Sequence, residues 1–566
     1  MTLENNNQLS NQLRIVPLGG VGEVGKNSTL IDFNGEFVLV DIGVKFPDEE
    51  MVGIDLIIPD LSYVQEHKEN LRGILITHGH EDHIGAIPYA LAYLELDAID
   101  IYGSSLALGL VRSKLEEHPG TEQKARWHAM NGGELVRLGQ MEVEFISVDH
   151  SIPDAFSLAI HTPLGTVLHT GDWKFAGLPE SSFERYRELG QEGILALIPD
   201  CVRIESPGRT PPESVVGDAL EQLVRDAPAR VVVSTFASNV NRVGRTIEAA
   251  QKYGRVCALV GRSMEKNIPI ARSLGYLDYP DEAIVSAQAA RRLPPEKVVL
   301  ILTGSQGEPT AALARMAAGT HRLVSPLPGD TVIMSATPIP GNEKLVGRII
   351  DNLMRNGAHV IYPRVMPEVH VSGHASYDEH LELLELLKPR YVVPFHGEYR
   401  MMVLNREAAV SKGVPFENVF LTEIGQGVVI TAEGGRKDGR IRSGAVLVDG
   451  LTVGEVNQVV LRDRRRLASD GLVIISTTLD AQTGLPVNDP SVLTTGLPTS
   501  LSRDGVNNLQ EQSREIVQKA IEQAERGHKG AVVPSSLSEL IKQNVGSYIL
   551  RSTGLRPLII PVLTEI

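Results

Sequence analysis

The run Leu75-Ile76-Thr77-His78-Gly79-His80-Glu81-Asp82-His83-Ile84 packs four metal-capable side chains, His78, His80, Asp82 and His83, into six residues at the end of an apolar, strand-like stretch. Imidazole and carboxylate suit zinc or manganese, and alternate residues on an extended turn can aim two histidines at one metal while the adjacent Asp-His pair reaches a second. The plainer alternative is a polar loop whose histidines cap a helix beginning at Ile84. Two metals need about seven or eight ligand positions, so a fold built around this run must bring partners to it from elsewhere in the chain.

Candidate partners stand where apolar strands end. Asp149-His150 closes the strand expected at Met141 to Val148, Thr170-Gly171-Asp172 closes the one at Thr166 to Thr170, and His396 in Val393-Pro394-Phe395-His396-Gly397 follows Arg390 to Val393. Layered folds put site residues on such turns. Alone, His150 or His396 reads as a hydrogen-bonded loop histidine; beside the first cluster, each reads as a ligand.

A chain of 566 residues exceeds one core, and at about 150 residues per domain three or four are expected. The first 200 residues alternate short apolar strands with Gly and Pro, interrupted by helical patterns at Ile84 to Leu94 and Ser105 to Glu117. From about Glu213, buried-type strands at Arg230 to Ser234, Val256 to Val260, Val298 to Leu302, Thr331 to Ser335 and His359 to Tyr362 each precede a helix candidate, which implies a parallel, doubly wound sheet. The histidine-rich style returns near Glu368. The expected domains are 1–212 with 369–448, interrupted by an insert at 213–368, then a linker at 449–470 carrying Arg462, Arg464, Arg465 and Arg466, and an α+β unit at 471–566.

Only Cys201 and Cys257 occur, so no disulfide framework or thiolate zinc site is available and a reducing compartment is expected. No run of about 18 apolar residues exists, and Met1 to Gln12 is polar rather than a charged-then-apolar leader, so a soluble, cytoplasmic protein without a membrane partner is expected. The net charge of −16 does not decide for or against nucleic acid, because a local basic channel can act on an acidic body.

These motifs give the chain a specific resemblance. It is similar to metallo-β-lactamase-fold nucleases of the β-CASP group, and within them to bacterial ribonuclease J. The likeness rests on His78-x-His80-x-Asp82-His83, His150, Asp172, Asp200, His374 and His396, and on the longer stretches Thr235-Phe236-Ala237-Ser238-Asn239, Gly304-Ser305-Gln306-Gly307-Glu308-Pro309, Pro338-Ile339-Pro340-Gly341-Asn342-Glu343 and His370-Val371-Ser372-Gly373-His374-Ala375-Ser376. It implies an α/β architecture: an αββα metallo-β-lactamase sandwich with an inserted doubly wound β-CASP domain and a small α+β C-terminal domain. By analogy, one divalent ion, Zn or Mn, would be held by His78, His80 and His150 and another by Asp82, His83 and His396, with Asp172 bridging. Cys201-Val202-Arg203-Ile204 and the charged neighbourhood of Lys266 depart from the family pattern.

The resemblance implies a ribonuclease with 5′-to-3′ exonuclease and endonuclease activity on single-stranded RNA, active in RNA maturation and decay, forming a homodimer or homotetramer and working beside other RNA-degradation proteins. Water activated by the metals is the expected nucleophile, with Asp82 and Asp172 fixing the metals and His374, oriented by Asp200, serving the leaving 3′ oxygen. Ser372, Gly373, His374, Ala375 and Ser376, preceded by His370, suit a phosphate because small residues let backbone N–H groups approach an anion; a Ser-capped turn before a helix at Tyr377 to Leu387 is the alternative. Phe236 is expected either to stack on a base or to be core, and Ser238, Asn239 and Arg242 to contact phosphate or ribose. Small-molecule hydrolases of the same fold do not need a roughly 150-residue insert. A DNA-directed nuclease and a non-catalytic scaffold are the remaining rivals.

Overall fold

The computed structural model describes residues 11–48, 50–95, 98–339, 342–450, 452–483, 486–497, 503–527 and 534–566. Pro340 and Gly341 of the proline-glycine motif, and most of the polar start, lie outside them. Two compact units result: the described chain up to Lys45 with Ile58–Ala445, and Phe46–Ile57 with Val446–Ile566.

The first unit contains a mixed eight-stranded sheet and a mixed six-stranded sheet. Leu13, Ile15, Ile31 and Val38 of one sheet share a buried cluster with Val143, Phe145, Leu158 and Leu197 of the other. The two sheets are therefore face to face, the arrangement that alternating apolar positions on both strand sets demand. Helices Ile87–Tyr93 and Ser105–Leu115 accompany the larger sheet; Glu180–Glu192, Tyr377–Leu387 and Tyr399–Ser411 accompany the smaller. This is the expected αββα sandwich.

Between the strands Ile194–Ile198 and Tyr391–Val392, which pair in parallel, the chain leaves to build a five-stranded, all-parallel sheet. Its central strands Val231–Ser234, Val298–Leu302 and Thr331–Met334 are buried throughout, as continuous Val/Ile/Leu runs covered by helices on both faces require. Because the insert departs and returns on adjacent strands of the small sheet, Asp200 and the Ser372–Ser376 loop come close although the sequence separates them widely.

In the second unit, Leu472–Leu479 pairs antiparallel with Ser491–Thr495 and parallel with Leu558–Glu565, and Val473, Ile475, Val517, Ile521, Ile541 and Ile549 form its core. The 449–470 stretch expected as a linker instead carries a thirteen-residue helix, Gln458–Asp470, capped by the Asn457 side chain and seated on Ile54 and Ile57 through Leu461. Its single buried apolar position among so many charges hid the helical period.

Candidate metal centre

The strand Leu71–Leu75 is buried over its last three positions and ends on the histidine run. Thr77, His78 and His83 are buried, and His80 is partly exposed. The chain turns into the short helix Glu81–Ile84 directly behind Gly43, where a Cβ would stand 1.6 Å from the Asp82 carbonyl oxygen. Only glycine lets the neighbouring strand end lie that close.

His78, His80, His150 and Asp172 offer ligand atoms to one point, and Asp82, His83 and His396 to a second. At the first, His80 Nδ1 lies 3.0 Å from His78 Nε2 and 3.1 Å from His150 Nε2, while Asp172 Oδ2 is 3.6 Å from both Nε2 atoms. Donors about 2.0–2.1 Å from a tetrahedral zinc stand about 3.4 Å apart, so this set matches a metal cage. At the second, His83 Nε2 is 3.3 Å from Asp172 Oδ2, and His396 Nε2 is 3.3 Å from Asp82 Oδ2. His396 Nε2 is buried and makes no well-aligned hydrogen bond, its near carboxylate being Asp82, so a cation between the two would satisfy both.

The electrostatics divide the same way. Burial dominates at His78 and His150, which are held well below the ordinary imidazole range, and at His80, lowered to about 4. At His83 and His396 burial acts in the same sense, but carboxylates overcome it: Asp172, Asp82 and Asp41 raise His83, and Asp172, Asp82 and Asp200 raise His396 to about 10. Burial would raise Asp82, yet His83 and His396 bring it below its usual value.

Sequence reasoning missed the group behind His83. The Asp41 carboxylate accepts from His83 Nδ1 at 2.7 Å, from the Thr77 amide at 2.8 Å and from the Thr77 hydroxyl at 2.7 Å. A carboxylate behind a ligating imidazole fixes its tautomer and orientation. Asp41 and His396 both adopt left-handed backbone, at φ 59° and 48°, which costs a non-glycine residue free energy and persists where the aim of the side chain requires it. Asn27, 3.0 Å from His83 Nε2, was also missed. The available signal for Asp41 was its position at the end of an apolar strand, the same signal that identified Asp172.

His374 Nδ1 is 2.7 Å from Asp200 Oδ2, and its Nε2 is 3.9 Å from Asp172 Oδ2. Burial would lower this imidazole, but Asp200 and Asp172 outweigh it and keep its pKa above the ordinary value. The loop that carries it also serves the first metal point. The Gly373 carbonyl lies 2.8 Å from His150 Nδ1, and a Cβ at Gly373 would stand 2.5 Å from the His150 ring.

Several expected RNA contacts are structural instead. Arg242 is buried, its guanidinium bonded to both Glu213 oxygens, at 2.8 and 3.0 Å, and to the Ser335 carbonyl at 2.7 Å, so no donor pair is left for a phosphate. Its remaining neighbours are the Val371 carbonyl, at 3.4 Å, and His370, 3.1 Å away and lowered to about 3 chiefly by burial. Asn239 caps the helix Val240–Lys252 by accepting from the Arg242 amide. Ser376 is buried in a capping box with Glu379 and meets Thr210 at 2.8 Å and Arg203 at 3.1 Å, so the capped-turn alternative describes it. Ala375 is buried and offers no side-chain contact. The Ser372 hydroxyl accepts from the His374 amide at 3.1 Å. Phe236, in contrast, is 39% exposed at the end of the strand Val231–Ser234, and Ser238 is partly exposed beside it.

Comparison with known proteins bears on the whole chain. Residues 228–353 match the model "Ribonuclease J, beta-CASP domain", 459–566 the "Ribonuclease J C-terminal domain", 362–420 the "Zn-dependent metallo-hydrolase RNA specificity domain" and 21–99 the "Metallo-beta-lactamase superfamily". Ribonuclease J 1 of Streptococcus pyogenes serotype M3 is 37% identical over 556 residues, covering 98% of both chains. The chain belongs to the ribonuclease J family. Ribonuclease J2 of Bacillus subtilis is 36% identical over 98% of this chain and 99% of its own, and ribonuclease J of Synechocystis is 42% identical over 86% and 76%. A solved Enterococcus faecalis protein of unknown function shares the fold alone, with a TM-score of 0.53 at 17% identity over 74% of this chain and all of that one. As a member of the family, the protein is a metal-dependent ribonuclease that takes RNA as substrate and binds divalent metal through its His/Asp cluster. Among the described residues, no helix is long and apolar enough to cross a membrane.

Proposed function

We propose that the protein holds two divalent ions, Zn or Mn, the first on His78, His80 and His150, the second on Asp82, His83 and His396, with Asp172 shared, and uses them to cut single-stranded RNA. The observation that carries this is the convergence of three proton-poor imidazoles, with His78 Nε2 and His150 Nε2 3.0 and 3.1 Å from His80 Nδ1, beside Asp82, His83 and His396, which meet at a second point. Neutral imidazoles at these distances can be joined by an N–H···N bond, whereas a cation placed among them would take a lone pair from each of the three rings at once. Bound there, divalent ions lower the pKa of water towards neutrality and neutralise charge on a phosphodiester.

The chain's own groups do the rest. Asp41 and the Gly373 carbonyl hold two of the ligating rings in place. His374, whose hold on its proton Asp200 and Asp172 strengthen against burial, serves the departing 3′ oxygen, so products carry 5′ phosphates and 3′ hydroxyls. Backbone N–H groups and the hydroxyl of Ser372 in the Ser372–Ser376 loop receive a 5′-terminal monophosphate, which directs 5′-to-3′ cutting, and endonucleolytic cutting accompanies it. Phe236 and Ser238 meet the RNA further along, the ring stacking on a base. RNA maturation and decay in the cytoplasm, by a homodimer or homotetramer alongside other RNA-degradation proteins, is the setting this activity fits.

The test is digestion of 5′-monophosphorylated, 5′-triphosphorylated and circular RNA with added manganese or zinc, and with a chelator. Rapid loss of the monophosphorylated linear RNA with release of 5′ mononucleotides supports the reading, as does slower nicking of the circle. Equal rates on all three substrates would remove the 5′-end preference. Intact RNA under every metal would remove the site assignment.

A further inference from the structure

The basic cluster Arg462, Arg464, Arg465 and Arg466 takes no part in the site described above. The helix Gln458–Asp470 sorts it into two faces. Arg464 donates to the carbonyls of Val52 and Gly53 and pairs with Asp449, and Arg465 lies 3.9 Å from Glu50; these two fasten the helix to its own unit. Arg462 and Arg466, one turn apart, line instead a groove of about 560 Å³.

Two other segments complete that groove. Lys542 comes from the helix Pro534–Thr553, and Arg556 from the turn before the strand Leu558–Glu565. Gly546, one turn beyond Lys542, keeps the groove open; a Cβ there would stand 3.3 Å from Ile559. Two acidic groups are present: Asp463, 3.4 Å from Arg462, and Glu539, 2.9 Å from Lys542. The guanidinium groups of Arg466 and Arg556 make no hydrogen bond or ion pair among the described residues. On a chain of net charge −16, four cations from three segments facing one concavity, two of them unpaired, form a local field for an anion. Among the described residues no aromatic ring lines the groove, so none of them offers a base a surface to stack on.

We propose that this groove of the C-terminal unit binds the phosphate backbone of single-stranded RNA, independently of sequence. The proposal rests on the ribonuclease reading of the metal centre. Its ligand chemistry is that of consecutive phosphodiesters gripped by Arg and Lys without base contact, so affinity must fall with salt.

The test uses the full-length protein in chelator, where RNA is bound and not cut, and follows a labelled 30-nucleotide single-stranded RNA by fluorescence anisotropy across a salt series. Arg462→Glu with Arg466→Glu should weaken binding about fivefold or more and reduce the slope of log K against log salt by about 1.4, two contacts at about 0.7 each. Arg556→Ala should reduce that slope by about half as much. Both changes alter exposed side chains, and circular dichroism checks that the fold is kept. Unchanged affinity and slope would overturn the proposal. So would a poly-glutamate peptide that binds the wild type and is released by the double reversal while RNA is not, since the groove would then receive an acidic protein segment. A wild type that cuts RNA yet is indifferent to the reversal removes the groove alone; one that neither binds nor cuts RNA removes the reading of the metal centre.

Discussion

The two halves of the proposed metal cleft use the same kinds of side chain but are backed differently. Behind the first half stand neutral groups: the Thr77 hydroxyl 3.0 Å from His78 Nδ1, and the Gly373 carbonyl at His150 Nδ1. Behind the second stand carboxylates: Asp41 at His83 Nδ1, and Asp172 Oδ1 2.8 Å from His396 Nδ1. Burial therefore decides the protonation of the first set, and charge that of the second. The difference teaches that a neutral set of rings is kept ready for a cation by desolvation, whereas a ring backed by a carboxylate must exchange a proton for one.

The largest effect should come from emptying the neutral half. His78→Ala with His80→Ala removes two of its three imidazoles, and a loss of about a thousandfold or more in RNA cleavage, about 4 kcal/mol of transition-state stabilisation, is expected. Bound metal, measured on the same sample, should fall with it. Cleavage surviving this double change would break the assignment of both halves. Next come the backing groups themselves. Asp41→Asn should lower metal affinity or activity about 10- to 100-fold, the range for groups that orient a ligating histidine. Gly373→Ala forces the His150 ring aside and should weaken the first half while sparing the second. If both substitutions lowered metal occupancy to the same single value, the halves would be one cooperative site and the contrast would fail.

Protons should sharpen the contrast in metal-free protein. His396 is raised from 6.5 to about 10, so its contribution to stability is complete below pH 6.5 and is lost as pH rises from there through 10. His80 is lowered from 6.5 to about 4, so the unfolded chain gains protons first, and stability is lost as pH falls from 6.5 to 4. Thermal midpoints of chelated protein should then peak near pH 6.5, with His396→Gln flattening the alkaline side and His80→Gln the acid side. Metal should flatten the alkaline side too, by replacing the proton on His396. An alkaline slope unaffected by either metal or His396→Gln would show that the carboxylates do not hold that proton.

Why one half was more legible than the other follows from the same chemistry. The proposed ligands announce themselves: His78, His80, Asp82 and His83 are compressed into one run, and His150, Asp172 and His396 sit at strand ends where polar residues interrupt apolar ones. Asp41 occupies an equivalent strand end but carries no local motif, and its pairing with His83 exists only because the two strands lie side by side. The αββα sandwich followed only from the family resemblance, whereas the parallel insert was readable from continuous apolar runs. Strand Ser28–Phe33 and helix Gln458–Asp470 were not, since a mixed polar pattern in one and a charge-dominated surface in the other obscured the period. Arg242 and Ser376 show the converse limit. Their residue types suit phosphate, but burial commits the first to Glu213 and the second to a helix start, and burial is a property of the packed chain.

The smallest expected effect sits on the loop that serves the neutral half. Ser376→Ala deletes the capping hydroxyl of the helix Tyr377–Leu387 and should cost about 1 kcal/mol of stability. It should leave the preference for 5′-monophosphorylated over 5′-triphosphorylated RNA unchanged, because that hydroxyl is already engaged by Thr210 and Arg203. Ser372→Ala should do the opposite. Its hydroxyl accepts from one backbone amide and keeps its own proton for an anion, so the preference should shrink with little loss of stability. Paired rate and melting measurements on the two variants separate a helix cap from a phosphate contact. A Ser376→Ala protein that melts like the wild type but loses its 5′-end preference would return that serine to the phosphate and overturn its assignment as a cap.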